Sequence, residues 1–268
     1  MTPTVLSVAG SDPSGGAGIQ ADLKTFSALG AYGAAAITAL TAQNTRGVTG
    51  VMPVPGHFVA AQLEALFTDL DVHAVKTGML GGPDVVDAVV DAVRRHRVGN
   101  VVVDPVMVAT SGDRLVDDET VAAVRERLLP VATLITPNLP EAATLLGWDS
   151  VTAGTMTKAA DALRGLGPQA ALVKGGHADS AEAIDVLADA DGIREYRAPR
   201  VETRNTHGTG CTLSSAIAAR LAHGAELRTA VDDAKKYVSA ALAAADSLQI
   251  GQGSGPVHHF HAWWEARP

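Results

Sequence analysis

The chain has 268 residues, of which 47% are hydrophobic and 19% charged, so it has enough apolar material for a large buried core. Its formal net charge of −8 argues against nucleic acid or an anionic membrane as the main partner, because both bind basic surfaces. A single cysteine excludes an intramolecular disulfide, and the N-terminus has no basic region before an apolar run, so we expect a cytoplasmic protein without a signal peptide.

Short β-branched runs and amphipathic helical stretches alternate through the N-terminal half. Residues 5–9 predict a buried strand, and the helix predicted at 19–29 should end at Gly30. Pro83 has the position expected of the first residue of a helix that runs to about residue 96. The other elements predicted in this half are strands at 34–42, 74–77 and 101–104 and a helix at 59–67.

The C-terminal half continues the alternation and interrupts it once. Residues 183–187 and 193–197 flank an Asp-Ala-Asp-Gly turn, which predicts an antiparallel hairpin. Strands that alternate with helices form right-handed βαβ units, so we predict a single α/β domain with a mostly parallel sheet covered on both faces. The other elements predicted in this half are strands at 133–136 and 170–174 and helices at about 211–223 and 227–247.

Ligands of such a sheet bind beyond the C-terminal ends of its strands, so the residues that follow the strands are the candidates for function. The first such segment is a glycine-rich turn at 10–18, in which residues 16–21 match the dinucleotide fingerprint G-x-G-x-x-G/A. No acidic residue lies between Asp22 and Glu64 to hold a ribose, which argues against a nicotinamide cofactor. The sequence also has no Gly-Lys pair, so a Walker A loop is absent and phosphates would need another cradle.

Residues 205–213, with the sequence NTHGTGCTL, are the best candidate for that cradle. Small residues just before an Ala-rich helix let backbone N–H groups converge on an anion at the helix N-terminus. A thiol at such a position should have a depressed pKa, which would make Cys211 reactive. The alternative is a plain flexible loop followed by a small buried cysteine.

Three further strand ends carry charged residues whose role the sequence leaves open. Asn138 and Glu141 fit a helix capping box, and they also fit a pair that organises Mg²⁺ and phosphates through water. Asp104 could support the same ion or could be a turn residue. Lys174 could reach phosphates or could simply be solvated.

Histidines cluster near the C-terminus, in the segment HHFHAWW at 258–264. Neither H-E-x-x-H nor C-x-x-C occurs in the chain, and Glu265 is the only acidic residue near the histidines. We therefore favour aromatic packing over a metal site for this segment.

Several long segments of the chain resemble one family. The chain resembles the hydroxymethylpyrimidine/phosphomethylpyrimidine kinases of thiamine biosynthesis, within the ribokinase-like superfamily, over nearly its whole length. The matching segments are AGSDPSGGAGIQADLKT at 9–25, AQNTRG at 42–47, ITPNLPEA at 135–142, KGGH at 174–177, NTHGTGC at 205–211 and GPVHHFHAWW at 255–264. The resemblance implies a three-layer α/β/α domain, commonly a homodimer, that uses ATP and Mg²⁺.

The resemblance also implies roles for residues at the phosphate end of a site. Cys211 stands where the superfamily usually has its catalytic base. An anion hole for the transferring phosphoryl group is implied for Gly208, Thr209 and Gly210. Contacts with ATP phosphates are implied for Lys174 and Thr206. The arrangement of Mg²⁺ and its waters, and through them of the nucleotide, is implied for Asp104, Asn138 and Glu141.

At the substrate end, the resemblance implies that Gln43 hydrogen-bonds the ring nitrogen and the exocyclic amine of a small pyrimidine. The residues implied to line its pocket are Gly10, Asp22, Met79 and Val106. A pocket of this composition suits a flat, weakly polar ring. Residues 106–115 follow a predicted active-site strand and contain a polar Thr-Ser-Gly-Asp stretch, so we expect a flap there that orders when ligands bind.

Two alternatives remain open from the sequence. A pyridoxal kinase would also phosphorylate a hydroxymethyl group on a flat heterocycle. A non-catalytic pyrimidine-binding regulatory protein could share the fold, although it would not need the phosphate-binding residues.

Overall fold

The computed structural model describes residues 2–107, 116–176 and 182–264 of the protein. An eight-stranded sheet forms its centre, and two further strands form a separate sheet. The strands are β1 (Thr4–Ala9), β2 (Tyr32–Ile37), β3 (Ala39–Asn44), β4 (Gly47–Pro53), β5 (Val72–Thr77), β6 (Val101–Val103), β7 (Leu134–Ile135), β8 (Ala170–Lys174), β9 (Glu182–Asp189) and β10 (Gly192–Pro199). The α-helices are α1 (Gly18–Ala28), α2 (Gly56–Phe67), α3 (Pro83–Arg95), α4 (Asp118–Ala123), α5 (Leu139–Leu146), α6 (Met156–Arg164), α7 (Thr209–Ala222) and α8 (Leu227–Ala243).

The order of strands across this sheet is β10-β9-β8-β7-β6-β5-β1-β2. The six strands from β8 to β2 pair in parallel. At the other edge, β9 is antiparallel to β8, and β10 is antiparallel to β9. The predicted mostly parallel sheet and the predicted antiparallel hairpin are both confirmed, and the carboxyl ends of the six parallel strands meet along one edge.

Helices cover both faces of the sheet and give the three predicted layers. On one face α1, α7 and α8 share a core that includes Phe26 and Ile217. On the other face α2, α3, α5 and α6 pack over a second core. The buried strand β6 alternates between the two cores, since Val102 belongs to the first and its neighbours Val101 and Val103 belong to the second.

The strand predicted at 34–42 is two strands, and this is the main error in the predicted element order. Thr38 lies between β2 and β3; its N–H donates to the carbonyl of Ala9 (3.1 Å) and its hydroxyl donates to the carbonyl of Met79 (2.6 Å). These bonds turn the chain out of the main sheet, and β3 then pairs antiparallel with β4 in a separate two-stranded sheet. The alternation is therefore interrupted twice rather than once.

Helix termini follow the expected chemistry. Gly30 has φ +77° just beyond α1, a left-handed conformation in which glycine carries no Cβ penalty. Pro83 is the first residue of α3, where the missing N–H costs no helical hydrogen bond. In the described ranges, none of the helices has the length and apolar character needed to cross a membrane.

Candidate active site

The N-terminus of α7 faces the glycine-rich turn between β1 and α1. Gly208 caps α7 with φ +78°, and a Cβ there would overlap the carbonyl oxygen of Gly16, so only glycine allows the two backbones to approach this closely. The first turn of α7 contains Thr209, Gly210 and Cys211, whose N–H groups have no earlier helical carbonyl to bond. The N–H of Thr209 donates to the carbonyl of Thr206, and the anion site at this turn stays a prediction from the sequence.

An ion pair between Lys174 and Asp104 lies beside that turn. The ammonium of Lys174 donates to Oδ1 of Asp104 at 2.8 Å, and the side chains are 14% and 2% exposed. A Cβ on Gly210 would lie 3.2 Å from Nζ of Lys174, so the ammonium lies next to the first turn of α7. Burial alone would raise the pKa of Asp104, but the positive charges of Lys174 and Lys76 lower it.

Asn138 and Glu141 form the capping box of α5 at the neighbouring strand end. The side-chain oxygen of Asn138 accepts from the N–H of Glu141 (2.9 Å), and the carboxylate of Glu141 accepts from the N–H of Asn138 (2.8 Å). Burial raises the pKa of Glu141 to about 7, against the opposing effect of Lys174. The carboxylate of Asp104 raises it further, so the two carboxylates are close enough to interact.

A second ion pair, between Lys76 and Asp22, is fully buried beneath the site. Nζ of Lys76 donates to both carboxylate oxygens of Asp22, at 2.8 and 2.9 Å, and neither side chain has exposed surface. The hydroxyls of Ser7 and Ser215 donate to the same carboxylate at 2.6 and 2.7 Å. Asp22 thus lies in the layer under the cleft, where it ties β1, β5 and α7 together, rather than on an open pocket wall.

The prediction that Cys211 has a depressed thiol pKa is wrong. The pKa of Cys211 is raised to about 11, chiefly by burial and also by the negative charges of Asp22 and Asp104, while Lys76 and the N–H of Gly18 act in the opposite direction. Desolvation of the thiolate is the largest of these influences. Cys211 is therefore a protonated thiol at neutral pH.

Asp12 holds the glycine-rich turn in shape and connects it to the loop before α7. Its carboxylate accepts from the N–H groups of Ser14, Gly16 and Ala17, and Nε2 of His207 lies 2.8 Å from Oδ2. Burial opposes ionisation, yet the hydrogen bonds from His207, Ser14 and Ala17 lower the pKa of Asp12 to about 2. The side-chain nitrogen of Gln43, on β3, lies 3.5 Å from the same ring nitrogen of His207.

The other residues predicted at the substrate end lie at strand ends. Gly10 and Met79 are adjacent, since a Cβ on Gly10 would lie 2.5 Å from Cε of Met79. Val106 lines a cavity with Gly78 and Asp104 at the ends of β5 and β6. Thr206 is exposed in the turn before Gly208 and accepts from the N–H of Thr209 at 3.2 Å. Most of the predicted flap lies outside the described residues, as does His177 of the KGGH segment.

The structure also brings in residues that sequence reasoning missed. Lys76 was passed over, although a lysine inside a buried strand signals a buried ionic partner. Asp12 and His207 lie in recognisable segments, but their pairing spans 195 positions and no local pattern indicates it.

The histidine-rich C-terminal segment packs as predicted. The ring of Trp264 stacks on Phe260 (5.6 Å between centroids) and meets His258 edge-on (5.2 Å). Nε2 of His259 lies 3.1 Å from the hydroxyl of Thr212, and burial lowers the pKa of His259 to about 3.

Comparison with known proteins agrees with this geometry. The family model for phosphomethylpyrimidine kinase matches residues 12–258. A hydroxymethylpyrimidine/phosphomethylpyrimidine kinase of Rhizobium meliloti is 57% identical over 99% of this chain and 100% of its own length. Among solved structures, a phosphomethylpyrimidine kinase from Clostridium difficile has a TM-score of 0.79 at 41% identity and covers 89% of this chain and 98% of its own. An ADP complex of Bacillus subtilis pyridoxal kinase has a TM-score of 0.89 at 37% identity, covering 98% of this chain and 99% of its own. The chain therefore belongs to the phosphomethylpyrimidine kinase family.

Proposed function

We propose that this protein transfers the γ-phosphoryl group of ATP to 4-amino-5-hydroxymethyl-2-methylpyrimidine, and then a second phosphoryl group to the monophosphate, in thiamine diphosphate biosynthesis. The observation that carries the proposal is the position of Lys174, whose ammonium lies beside the first turn of α7 and is paired with Asp104. A cation next to converging N–H groups suits a transferring phosphoryl group, whose charge must be neutralised in place. Family membership and the ADP complex of the pyridoxal kinase support ATP as the donor.

The oxygen groups around Lys174 fit Mg²⁺. Within the described ranges no cluster of three or more His, Cys, Asp and Glu side chains could hold a metal by itself. Mg²⁺ is usually held by one or two carboxylates together with water and substrate phosphates, which Asp104, Glu141 and the amide of Asn138 could supply. The carboxylates of Asp104 and Glu141 interact electrostatically, and two carboxylates close together favour a cation. When bound, the ion would neutralise charge on the nucleotide phosphates.

The chain's own residues would position and neutralise the reacting groups. Lys174 and Thr206 would contact the nucleotide phosphates, and Gly208, Thr209 and Gly210 would receive the transferring group. The hydroxymethyl oxygen forms the new bond to phosphorus as the bond to the bridging oxygen of ADP breaks. Because such transition states are loose, the alcohol proton leaves late and can pass to an oxygen of the transferred phosphoryl group, so a protonated Cys211 is compatible with the reaction.

The substrate end would bind the pyrimidine through one polar side chain and several apolar ones. Gln43 would hydrogen-bond the ring edge, and Gly10, Met79 and Val106 would pack on the ring. Asp22 would act from beneath this pocket, through the elements that it ties together. In the second step the nucleophile is a phosphomonoester, which is largely ionised at pH 7 because its second pKa is about 6.

Mass spectrometry of products tests the proposal. With ATP, Mg²⁺ and the hydroxymethylpyrimidine, we expect the monophosphate first and the diphosphate later. Lys174→Met is the matched control and should form neither product at a comparable rate. A protein that binds the pyrimidine but forms no phosphorylated product would contradict the proposal and favour a non-catalytic role.

A pyridoxal kinase is the second candidate, favoured by the likeness to the pyridoxal kinase of Bacillus subtilis. The ratio of kcat/KM for the hydroxymethylpyrimidine and for pyridoxal decides between them. We expect the pyrimidine to be the better substrate, since the family model and the 57% identical relative are both pyrimidine kinases.

The predicted homodimer is supported by apolar side chains on the β3–β4 sheet. Leu40 and Met52 are opposite each other across the two strands and are 46% and 68% exposed. Exposed apolar patches of this kind mark protein interfaces. Met52→Glu should convert a dimer into a monomer in analytical ultracentrifugation. The cytoplasmic location stays a prediction from the sequence.

A further inference from the structure

A buried ion pair joins β9 to α8 next to the strand that carries Lys174. The ammonium of Lys235, on α8, donates to Oδ2 of Asp185, on β9, at 2.7 Å, and the two side chains are 10% and 8% exposed. The other carboxylate oxygen of Asp185 accepts from the backbone N–H of Gly175 at 3.0 Å. Gly175 directly follows Lys174, so the pair holds the end of β8 at the residue next to the proposed phosphate-binding lysine.

The backbone at this strand end is fixed from both sides. Lys174 is directly opposite Asp185 in the antiparallel β8–β9 ladder, which ends at that pair. On the other side of the strand, the N–H of Lys174 donates to the carbonyl of Pro137 at 2.8 Å. A Cβ on Gly175 would overlap the carbonyl oxygen of Ile184, so only glycine allows the chain to pass this close to β9. The backbone of Lys174 therefore has little room to shift.

The charge of Asp185 needs its own counter-ion because Lys174 is so near. Residues directly opposite each other in an antiparallel pair point to the same face of the sheet, and their Cβ atoms are only about 5 Å apart. Without Lys235, the carboxylate of Asp185 would attract the ammonium of Lys174. With Lys235 in place, that ammonium is paired with Asp104 beside α7.

We propose that Asp185 is a positioning residue for phosphoryl transfer: it holds the N–H of Gly175 and so keeps Lys174 directed at the first turn of α7. Lys235 keeps the carboxylate of Asp185 in place and neutral towards Lys174. This inference rests on the proposed function, because it takes Lys174 as the group that neutralises the nucleotide phosphates. Since Asp185 acts through Lys174, its substitution should impair the use of ATP and leave the affinity for the pyrimidine unchanged.

Two double variants without a buried charge isolate the hydrogen bond to Gly175. Asp185→Asn/Lys235→Met keeps a side-chain oxygen for this N–H, whereas Asp185→Leu/Lys235→Met has a side chain of similar size without an acceptor. We expect kcat/KM for ATP to be about tenfold lower in the Leu variant than in the Asn variant, as for the loss of one buried hydrogen bond. The dissociation constant of the hydroxymethylpyrimidine, measured by calorimetry, should be the same in both.

The single variant Lys235→Met tests the competing charge. It leaves the carboxylate opposite Lys174 without its counter-ion, so kcat/KM for ATP should fall severalfold below that of the wild type. Addition of Asp185→Asn removes the charge and keeps the acceptor, and it should restore most of the lost activity.

A second ion pair between the same two elements is the matched control. Arg228, on α8, donates to both carboxylate oxygens of Asp189, and Asp189 also accepts from the backbone N–H of Asp191 at 2.9 Å. Asp189 is the last residue of β9, at the turn to β10. Asp189→Leu/Arg228→Met and Asp189→Asn/Arg228→Met therefore remove or keep the same kind of bond at another place, and they should have equal kcat/KM for ATP. Urea denaturation of all four double variants measures their losses of stability separately.

Three results would overturn the inference. One is an equal kcat/KM for ATP in the Asn and Leu double variants of Asp185, and another is a loss of the same size in the control pair. If Asp185→Leu/Lys235→Met does not fold, an equal kcat/KM in Lys235→Met and Asp185→Asn/Lys235→Met is the third. If the wild-type protein phosphorylates no pyrimidine, the proposed function fails together with the inference. If the wild type is active but the paired variants do not differ, only the inference fails.

Discussion

Two Lys–Asp ion pairs lie close to α7, and they differ in what surrounds them. Lys76–Asp22 and Lys174–Asp104 both join a strand-end lysine to an aspartate at 2.8 Å. Lys76 and Asp22 have no exposed surface, and two serine hydroxyls complete the hydrogen bonds of the carboxylate. Lys174 is 14% exposed, and within the described part of the chain its ammonium makes one hydrogen bond, to Asp104.

We expect this difference to separate a structural ion pair from a functional one. A buried carboxylate whose hydrogen bonds are all made by protein groups gains nothing from a ligand, so we expect Lys76–Asp22 to act mainly by holding elements together. A partly exposed ammonium beside an anion-accepting helix turn can exchange its partner for a phosphate. We therefore expect stability to depend on the first pair and activity on the second.

The largest expected effect is on stability. Lys76→Met leaves the charge of Asp22 buried without its counter-ion, which typically costs about 3–5 kcal/mol of unfolding free energy. Urea denaturation measures this loss. The double variant Lys76→Met/Asp22→Asn removes the stranded charge and should recover part of the stability; a loss below about 1 kcal/mol in the single variant would contradict the structural role.

Lys174→Met tests the other side of the comparison. Removing one preorganised group that stabilises the transferring phosphoryl should lower kcat by about 10²–10³-fold. Its unfolding free energy should fall less than that of Lys76→Met, because Asp104 keeps the hydroxyls of Thr136 and Ser214 and the positive charge of Lys76 nearby. Steady-state kinetics gives the change in kcat, and urea denaturation of the same samples gives the change in unfolding free energy. Similar stability losses in the two variants would erase the distinction between the pairs.

Cys211 interacts electrostatically with both ion pairs. Its substitution is expected to have the next smaller effect on the reaction rate. Its pKa of about 11 leaves about one thiolate in ten thousand at pH 7, too little for a general base. Cys211→Ala should therefore slow monophosphate and diphosphate formation by similar factors, about tenfold, through a looser anion hole. Single-turnover rates for each step measure this. A much larger loss in the first step alone would indicate that Cys211 acts as a general base.

The revision for Cys211 shows what a sequence can and cannot predict at this site. Apart from the split of the strand at 34–42, the element order, the parallel sheet and the β9–β10 hairpin follow from periodicity, turn residues and the family pattern. The pKa of a thiol depends on the balance between a helix terminus and desolvation, and burial is not visible in the sequence. For Cys211, desolvation of the thiolate raises the pKa, contrary to the prediction from the sequence.

The other omissions have the same physical origin. The β3–β4 sheet was missed because its turn depends on Thr38, whose hydrogen-bond partners come from β1 and from the segment after β5. His207 and Asp12 meet only after the chain has folded. The features that depend on neighbours distant in sequence are thus the ones that could not be predicted from it.

The smallest expected effect concerns Glu141, whose carboxyl group interacts with both Lys174 and Asp104. Its pKa is raised by burial from 4.5 to about 7, so the folded protein binds a proton between these pH values that the unfolded chain has released. The stabilisation from this proton is complete below pH 4.5 and is lost as the pH rises through 7. Between pH 6 and pH 8 the loss should be about 1 kcal/mol.

Glu141→Gln stays uncharged and isolates this effect. The difference in unfolding free energy between wild type and variant should fall by about 1 kcal/mol as the pH rises from about 6 to about 8. Groups present in both proteins, such as the buried His259, cancel in the difference. In Glu141→Gln/Lys174→Met, compared with Lys174→Met alone, the pH dependence should move to higher pH, because Lys174 lowers the pKa of Glu141. A difference that is flat with pH would mean that Glu141 is ionised throughout, which would contradict this prediction.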